Sequence, residues 1–201
     1  MEEENKPLEQ IINTLENNYT LQSDHEIKPN LSFPVLNQGE FFKLLFTWKI
    51  GNFKSNTLLC SIINSYEVDG INTYTYFSKT KVIEEYLILY IESEKSIPDF
   101  IIRPAYFVDR LGNFFLRFDR KIKNRKVFNK NFIVESSDNK RLLTILKDPL
   151  IDEIKLEKNL YIEANEGRIL IKYEQKQDLK IAKRLLKIGE KFDQILTQTT
   201  L

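Results

Sequence analysis

The stretch Thr57-Leu58-Leu59-Cys60-Ser61-Ile62-Ile63-Asn64-Ser65-Tyr66 decides the fold, together with Asp69-Gly70 and the following Ile71-Asn72-Thr73-Tyr74-Thr75-Tyr76-Phe77. The first run is apolar and rich in residues that fit a pleated surface. Asp-Gly favours a two-residue hairpin turn, because it tolerates positive φ at both central positions. The returning run places Thr73 and Thr75 on one face and Tyr74 and Tyr76 on the other. These features predict an antiparallel hairpin.

Working outward, Phe41 to Ile50 is aromatic and apolar and ends at a Gly51-Asn52 turn. Val82 to Ile91 is apolar on both faces from Tyr86 onward, which predicts a central strand covered on both sides. The four runs together predict a meander. Phe100 to Arg103 reads as a short extended segment, since Pro104 biases its predecessor away from helix. Tyr106 to Phe115 is compatible with one or two helical turns, and 116–130 reads as a charged connection. Phe132 to Glu135 is a further strand. Leu160–Ala164 and Arg168–Tyr173 form a second hairpin through a three-residue loop, Asn165-Glu166-Gly167, with Gly167 at the positive-φ position.

Four helices are predicted. In 7–17, Leu8, Ile11, Ile12 and Leu15 share one face at 3.6-residue spacing, behind Pro7 in the first turn. Asp138 to Leu146 is the second. The third starts at Asp148-Pro149, an N-cap followed by a first-turn proline. The last runs from Asp178 to Gln198. Its stripe of Ile181, Leu185, Ile188, Phe192 and Ile195 is widened by Ala182, Leu186 and Leu196. That stripe suits a helix laid across the sheet, or in part a helix–helix contact between subunits. Residues 22–40 carry Pro29, Pro34 and Gly39 and read mostly as loop.

The fold expected is therefore α+β. It has an antiparallel sheet, built from a meander plus a C-terminal hairpin, with helices on one face and a long C-terminal helix. The order of elements in the second half argues against a parallel doubly wound sheet. A pleckstrin-homology-like barrel with a capping helix is the alternative. A chain of 201 residues fits one domain that buries roughly 70% of its extended surface. Within 1–201, residues 1–30 form an N-terminal helix and loop and 31–198 the core.

Composition narrows function mainly by exclusion. The chain has 30 Lys and Arg against 29 Asp and Glu, a net charge of +1. Bulk charge thus argues for neither a nucleic-acid nor a membrane partner. Cys60 is the sole cysteine and His25 the sole histidine. That rules out an internal disulfide and any two-imidazole metal site, and points to a reducing compartment, the cytoplasm. The acidic start Met1-Glu2-Glu3-Glu4 is unlike a secretory signal, and no apolar run approaches the roughly 20 residues of a membrane span. The six glycines make no phosphate-binding loop.

Few residues are candidates for chemistry. Glu84 and Glu85 are adjacent, so on a strand they face opposite ways. Cys60 lies in an apolar strand and reads as a small core residue. Trp48 and its neighbours read as core, or as the lining of an apolar pocket. The strongest local anomaly is basic: Arg117, Arg120, Lys121, Lys123, Arg125, Lys126 and Lys130, against the single acid Asp119 and interleaved with Phe118 and Phe128. Such a segment suits phosphates, an anionic lipid surface or an acidic protein face. It equally suits a solvated connection, which the balanced net charge favours.

The residues Pro98-x-Phe100-x-x-Arg103-Pro104 form a signature. With Phe33-Pro34-Val35-Leu36, Gly39, Tyr74, Tyr76, Phe107, Gly112 and the Phe128-to-Val134 segment, the chain resembles a bacterial family known as a domain of unknown function. The likeness runs over about residues 31 to 196. It implies an α+β domain, sometimes beside membrane segments, without an assigned activity or catalytic residue. This chain departs from it by having no membrane segment. It is also basic over 117–126, where relatives are acidic around an Asp-Ile-x-Phe pattern.

The function expected is a non-enzymatic interaction or accessory module, with a protein partner or self-association and no cofactor. The alternative is an enzyme or small-molecule-binding protein with an apolar, aromatic-lined pocket. The candidate patch is Arg117, Arg120, Lys121, Lys123, Arg125 and Lys126. The candidate structural signature is Pro98, Phe100, Arg103 and Pro104.

Overall fold

The computed structural model describes residues 6–23, 27–36, 41–71, 77–106, 121–175 and 178–198. Eight strands form one antiparallel sheet: β1 (Leu21–Ser23), β2 (Phe41–Ile50), β3 (Asn56–Ile71), β4 (Phe77–Glu92), β5 (Phe100–Pro104), β6 (Phe132–Ser136), β7 (Leu160–Asn165) and β8 (Arg168–Tyr173). Their order is β1-β2-β3-β4-β8-β7-β5-β6. The helices are α1 (Lys6–Leu15), α2 (Lys126–Asn131), α3 (Asn139–Ile145), α4 (Asp148–Ile154) and α5 (Leu179–Gln198). The class is α+β. The sheet is open, ending at β1 and β6, so the barrel alternative does not hold for the described residues.

Strand alternation divides the core in two. On one face Leu59, Leu87, Leu89, Ile91, Ile162, Ile169 and Ile171 pack with the buried sides of α1, α3, α4 and α5. All eight residues of the predicted α5 stripe are buried there, so the helix lies on the sheet. Gly189 brings α5 close: a Cβ added there would lie 2.4 Å from Leu89 Cδ2 and 3.0 Å from Phe53 Cε2. Asp178 starts the helix by accepting the Ile181 N–H at 2.7 Å, and Asp138 caps α3 through Lys140 N and Arg141 N. Trp48 packs against this helical core beside Phe46.

The opposite face holds Leu58, Cys60, Ile62, Ile88, Tyr90 and Leu170. An N-terminal strap covers it, inserting Phe33, Val35 and Leu36. The described part of 22–40 is mostly free of helix and strand, as its prolines imply, with one 3-10 turn at Pro34–Leu36. Pro29 and Pro34 keep the segment out of the ladder, yet its apolar side chains reach the core. Leu21–Ser23 pairs with β2 as a short edge strand.

The meander has one strand fewer than expected. Asp69, Gly70 and Ile71 pair with Lys79, Ser78 and Phe77, so β3 runs straight through the Asp-Gly step. Cross-strand pairing over sixteen residues outweighs a two-residue turn preference. The connection falls at 72–76, so the facing expected for Thr73, Tyr74, Thr75 and Tyr76 lies outside the described residues. The second hairpin turn is also tighter than expected. Asn165 pairs with Arg168, leaving a two-residue turn with Glu166 at φ 50° and Gly167 at φ 80°. Asp148 is the first residue of α4, not its cap; Lys147 holds the cap position.

Candidate functional site

The signature residues build a junction. Pro98, Phe100 and Pro104 are buried. β5 pairs with β6 on one side and β7 on the other. Asp99, between the signature positions, joins three elements: its carboxylate accepts the Glu166 N–H at 2.9 Å, and its carbonyl accepts the Ser137 N–H at 3.0 Å. Arg103 lies 3.6 Å from the Glu135 carboxylate across the β5–β6 pair. The arrangement is architectural, and Asp99 is the member that the sequence reading passed over.

Beyond the strap, polar groups occupy the same sheet face. Lys172 on β8 sits with its ammonium 5.7 Å from the Tyr86 ring and 5.8 Å from the Tyr161 ring. Such cation–π contacts are favourable when the cation is desolvated. Burial pushes the Lys172 amine below its usual range, opposed by the nearby Glu174, Glu163 and Glu84 carboxylates. Glu163 on β7 is buried, which pushes its carboxyl up. Its Oε2 accepts the Val35 N–H at 3.2 Å, latching the strap to the sheet. Arg168 completes the latch: its guanidinium donates to the Asn30 carbonyl and stacks 5.9 Å from the Phe33 ring. Nothing in the sequence distinguished these residues, because they belong to different strands and meet only through the β4-β8-β7 order.

The basic segment is more ordered than a solvated connection. Arg117 and Arg120 lie outside the described residues. Lys121, Lys123 and Lys126 are exposed. Arg125 forms an ion pair with Asp148. The stretch 126–130, expected as connection, belongs to α2, and the buried Phe128 ring stacks on Phe132 at 5.2 Å. Asn129 clamps the approach by bonding both the N–H and the carbonyl of Ile122, at 2.9 and 2.7 Å. A buried aromatic anchor inside a basic run is the reason: Phe128 commits the chain to the core.

Cys60 is buried under the strap, and burial pushes its thiol up to about 12. It is held as a neutral core residue, since the reactive form is the thiolate. Among the described residues no group of three or more His, Cys, Asp or Glu is placed to hold a metal ion, and no helix is long and apolar enough to cross a membrane. His25 lies outside the described residues.

The remaining feature is the β3–β4 hairpin, whose strands are each sixteen residues long. β2 accompanies β3 only as far as Ser65. β8 accompanies β4 only over Ile88–Glu92. Among the described residues, the pairs from Tyr66↔Val82 to Ile71↔Phe77 therefore form a two-stranded ribbon, about 20 Å long at roughly 3.4 Å per residue. Along β4, from Phe77 to Glu85, no described strand pairs with the outer edge. Ile83 lies in this run at 64% exposure.

No family model matches the chain, and no characterised protein or solved structure is detectably similar to it. The geometry therefore carries the functional argument.

Proposed function

We propose that the protein is a non-enzymatic interaction module whose binding element is the projecting β3–β4 hairpin. The observation that carries this reading is the outer edge of β4 from Phe77 to Glu85, along which no described strand pairs, with Ile83 exposed within it. An open edge presents a row of N–H and C=O groups that recruit another strand. A two-stranded ribbon is marginal in water by itself, so added contacts on it are stabilising. The chemistry-bearing residues support the same reading: Cys60 is sealed in the core, and the signature around Pro98–Pro104 serves the junction. The lone buried thiol fits a reducing compartment, and we read the protein as cytoplasmic.

Shortening the ribbon tests this. Replacing residues 68–80 by an Asn-Gly turn keeps the pairs nearer the body and removes the rest. The expected result is an unchanged melting temperature together with loss of the proteins that the intact chain captures in quantitative affinity capture. Capture of the same proteins by the shortened chain would refute the reading.

One observation favours a second reading, a small-molecule site on the strap side. Lys172 and Glu163 lie on adjacent strands, with the amine pushed down and the carboxyl pushed up. Glu163 also lines an open groove with Pro34, Asp99, Ile101 and Glu135. Groups shifted in this way cluster at functional sites. Small amines that stabilise the native chain against heat but leave Glu163→Gln unaffected would support this alternative.

A further inference from the structure

We propose that Lys172 is a capture point for small carbonyl compounds, its amine condensing reversibly with an aldehyde to form an imine. The inference deepens the second reading above, the small-molecule site on the strap side, and rests on it; it names the group that takes the ligand and the class it takes. Lys172 stands on β8 between Ile88 of β4 and Tyr161 of β7. Paired residues of an antiparallel ladder share a face, so all three look toward the strap side. The Tyr86 and Tyr161 rings flank the amine from the two neighbouring strands. Among the described residues the amine makes no hydrogen bond and no ion pair. Part of the side chain is nevertheless open to solvent.

A lysine placed in this way has two uses. As an ammonium it holds an anion; as a free amine it is a nucleophile. Three carboxylates act on the amine from around it: Glu84 of β4, Glu163 of β7 and Glu174 just past β8. They repel an anion brought to this spot. Burial outweighs their pull and pushes the amine down, which leaves more of it in the free form than at an exposed lysine. Desolvated lysines of this kind are the ones that form imines. The two tyrosine rings offer apolar faces to a planar, conjugated aldehyde.

The step balances without an oxidant or reductant. The amine nitrogen adds to the carbonyl carbon, and one N–H proton passes to the carbonyl oxygen, giving a carbinolamine. The hydroxyl leaves as water on gaining a proton, and the remaining N–H proton is lost as the C=N bond forms. Glu163 is the group placed to give the first of these protons and recover the second. The register sets Tyr161 against Lys172 and Glu163 against Leu170, so Glu163 and Lys172 are diagonal neighbours. Diagonal pairs lie within reach of long side chains. Burial pushes the Glu163 carboxyl up, toward the range in which a carboxyl exchanges protons at neutral pH.

The probe is salicylaldehyde, added to the native chain at neutral pH together with cyanoborohydride, which reduces an imine to a stable secondary amine. Intact mass counts the adducts and peptide mapping places them. The expected result is a single early adduct at Lys172, and a label spread over many lysines once the chain is unfolded in denaturant. Lys172→Arg is expected to lose the early adduct, and Glu163→Gln to form it more slowly. Raising the pH is expected to erode the preference, as exposed lysines lose their protons as well. A native chain labelled without preference for Lys172 overturns the proposal, and so does a folded Lys172→Arg chain that takes up the early label unchanged. If that happens while small amines still stabilise the native chain and not Glu163→Gln, the small-molecule site stands and carbonyl capture falls. If the amines have no effect either, both fall.

Discussion

Replacing Phe33 by alanine is expected to cost about 3–5 kcal/mol of stability, the range for deleting a buried phenyl group. Phe33 is fully buried. Its ring meets Tyr90 edge-on at a centroid distance of 6.4 Å, and the Arg168 guanidinium lies over it. The cost includes more than one cavity, because the strap is held mainly by side chains. Between residues 27 and 36 it adds no strand to the sheet. Losing its anchor leaves Leu58, Cys60, Ile62 and Ile88 with less cover, and leaves mainly the Glu163–Val35 and Arg168–Asn30 bonds to hold the segment. Denaturant titration of both proteins reads the difference. A loss within about 0.5 kcal/mol, the range of ordinary surface substitutions, would mean that the strap is a loose attachment.

Leu185→Ala is expected to cost about 2–5 kcal/mol. Leu185 is 0% exposed, in the middle of the α5 stripe and against the sheet. The result also separates the two uses that the sequence allows for that stripe. A helix packed within its own chain loses stability by the same amount at every protein concentration. A helix shared between subunits would show a loss that grows on dilution, because association then contributes to stability. The structure predicts the concentration-independent loss.

The parts of the fold that were legible in the sequence are those where one local rule has no competitor. The α5 stripe, the helix beginning at Asp138 and the buried run Leu87–Ile91 each follow from residues within a few positions of one another. Asp69-Gly70 failed because a good turn pair sits inside a longer register. Sixteen consecutive cross-strand pairs from Asn56↔Glu92 to Ile71↔Phe77 override it. The strap was legible as a loop but not as a cover for the sheet: prolines mark a segment as outside the ladder, and they do not say whether its side chains are buried. Phe33 and Val35, two residues apart, were the available signal.

The candidate site was legible only in pieces. The strand from Val82 to Ile91 was visible, but whether its edge is covered depends on which strands flank β4 and where they stop. The clustering of Tyr86, Lys172, Tyr161 and Glu163 depends on the non-sequential β4-β8-β7 order. The basic segment was legible as a charge run, and its ties to the body were not. Arg125 pairs with an acid of α4, and Phe128 turns inward.

Hydrogen–deuterium exchange along β4, followed for the chain alone and for the chain with the proteins it captures, tests the central claim most directly. Leu87 to Ile91 lies within the body of the sheet and is expected to stay protected throughout. Thr80 to Glu85 is expected to exchange readily in the chain alone and to become protected in the complex, because no described strand covers that edge. Protection of Thr80 to Glu85 equal to that of Leu87 to Ile91 in the chain alone would contradict the account, since the chain would then be covering that edge itself.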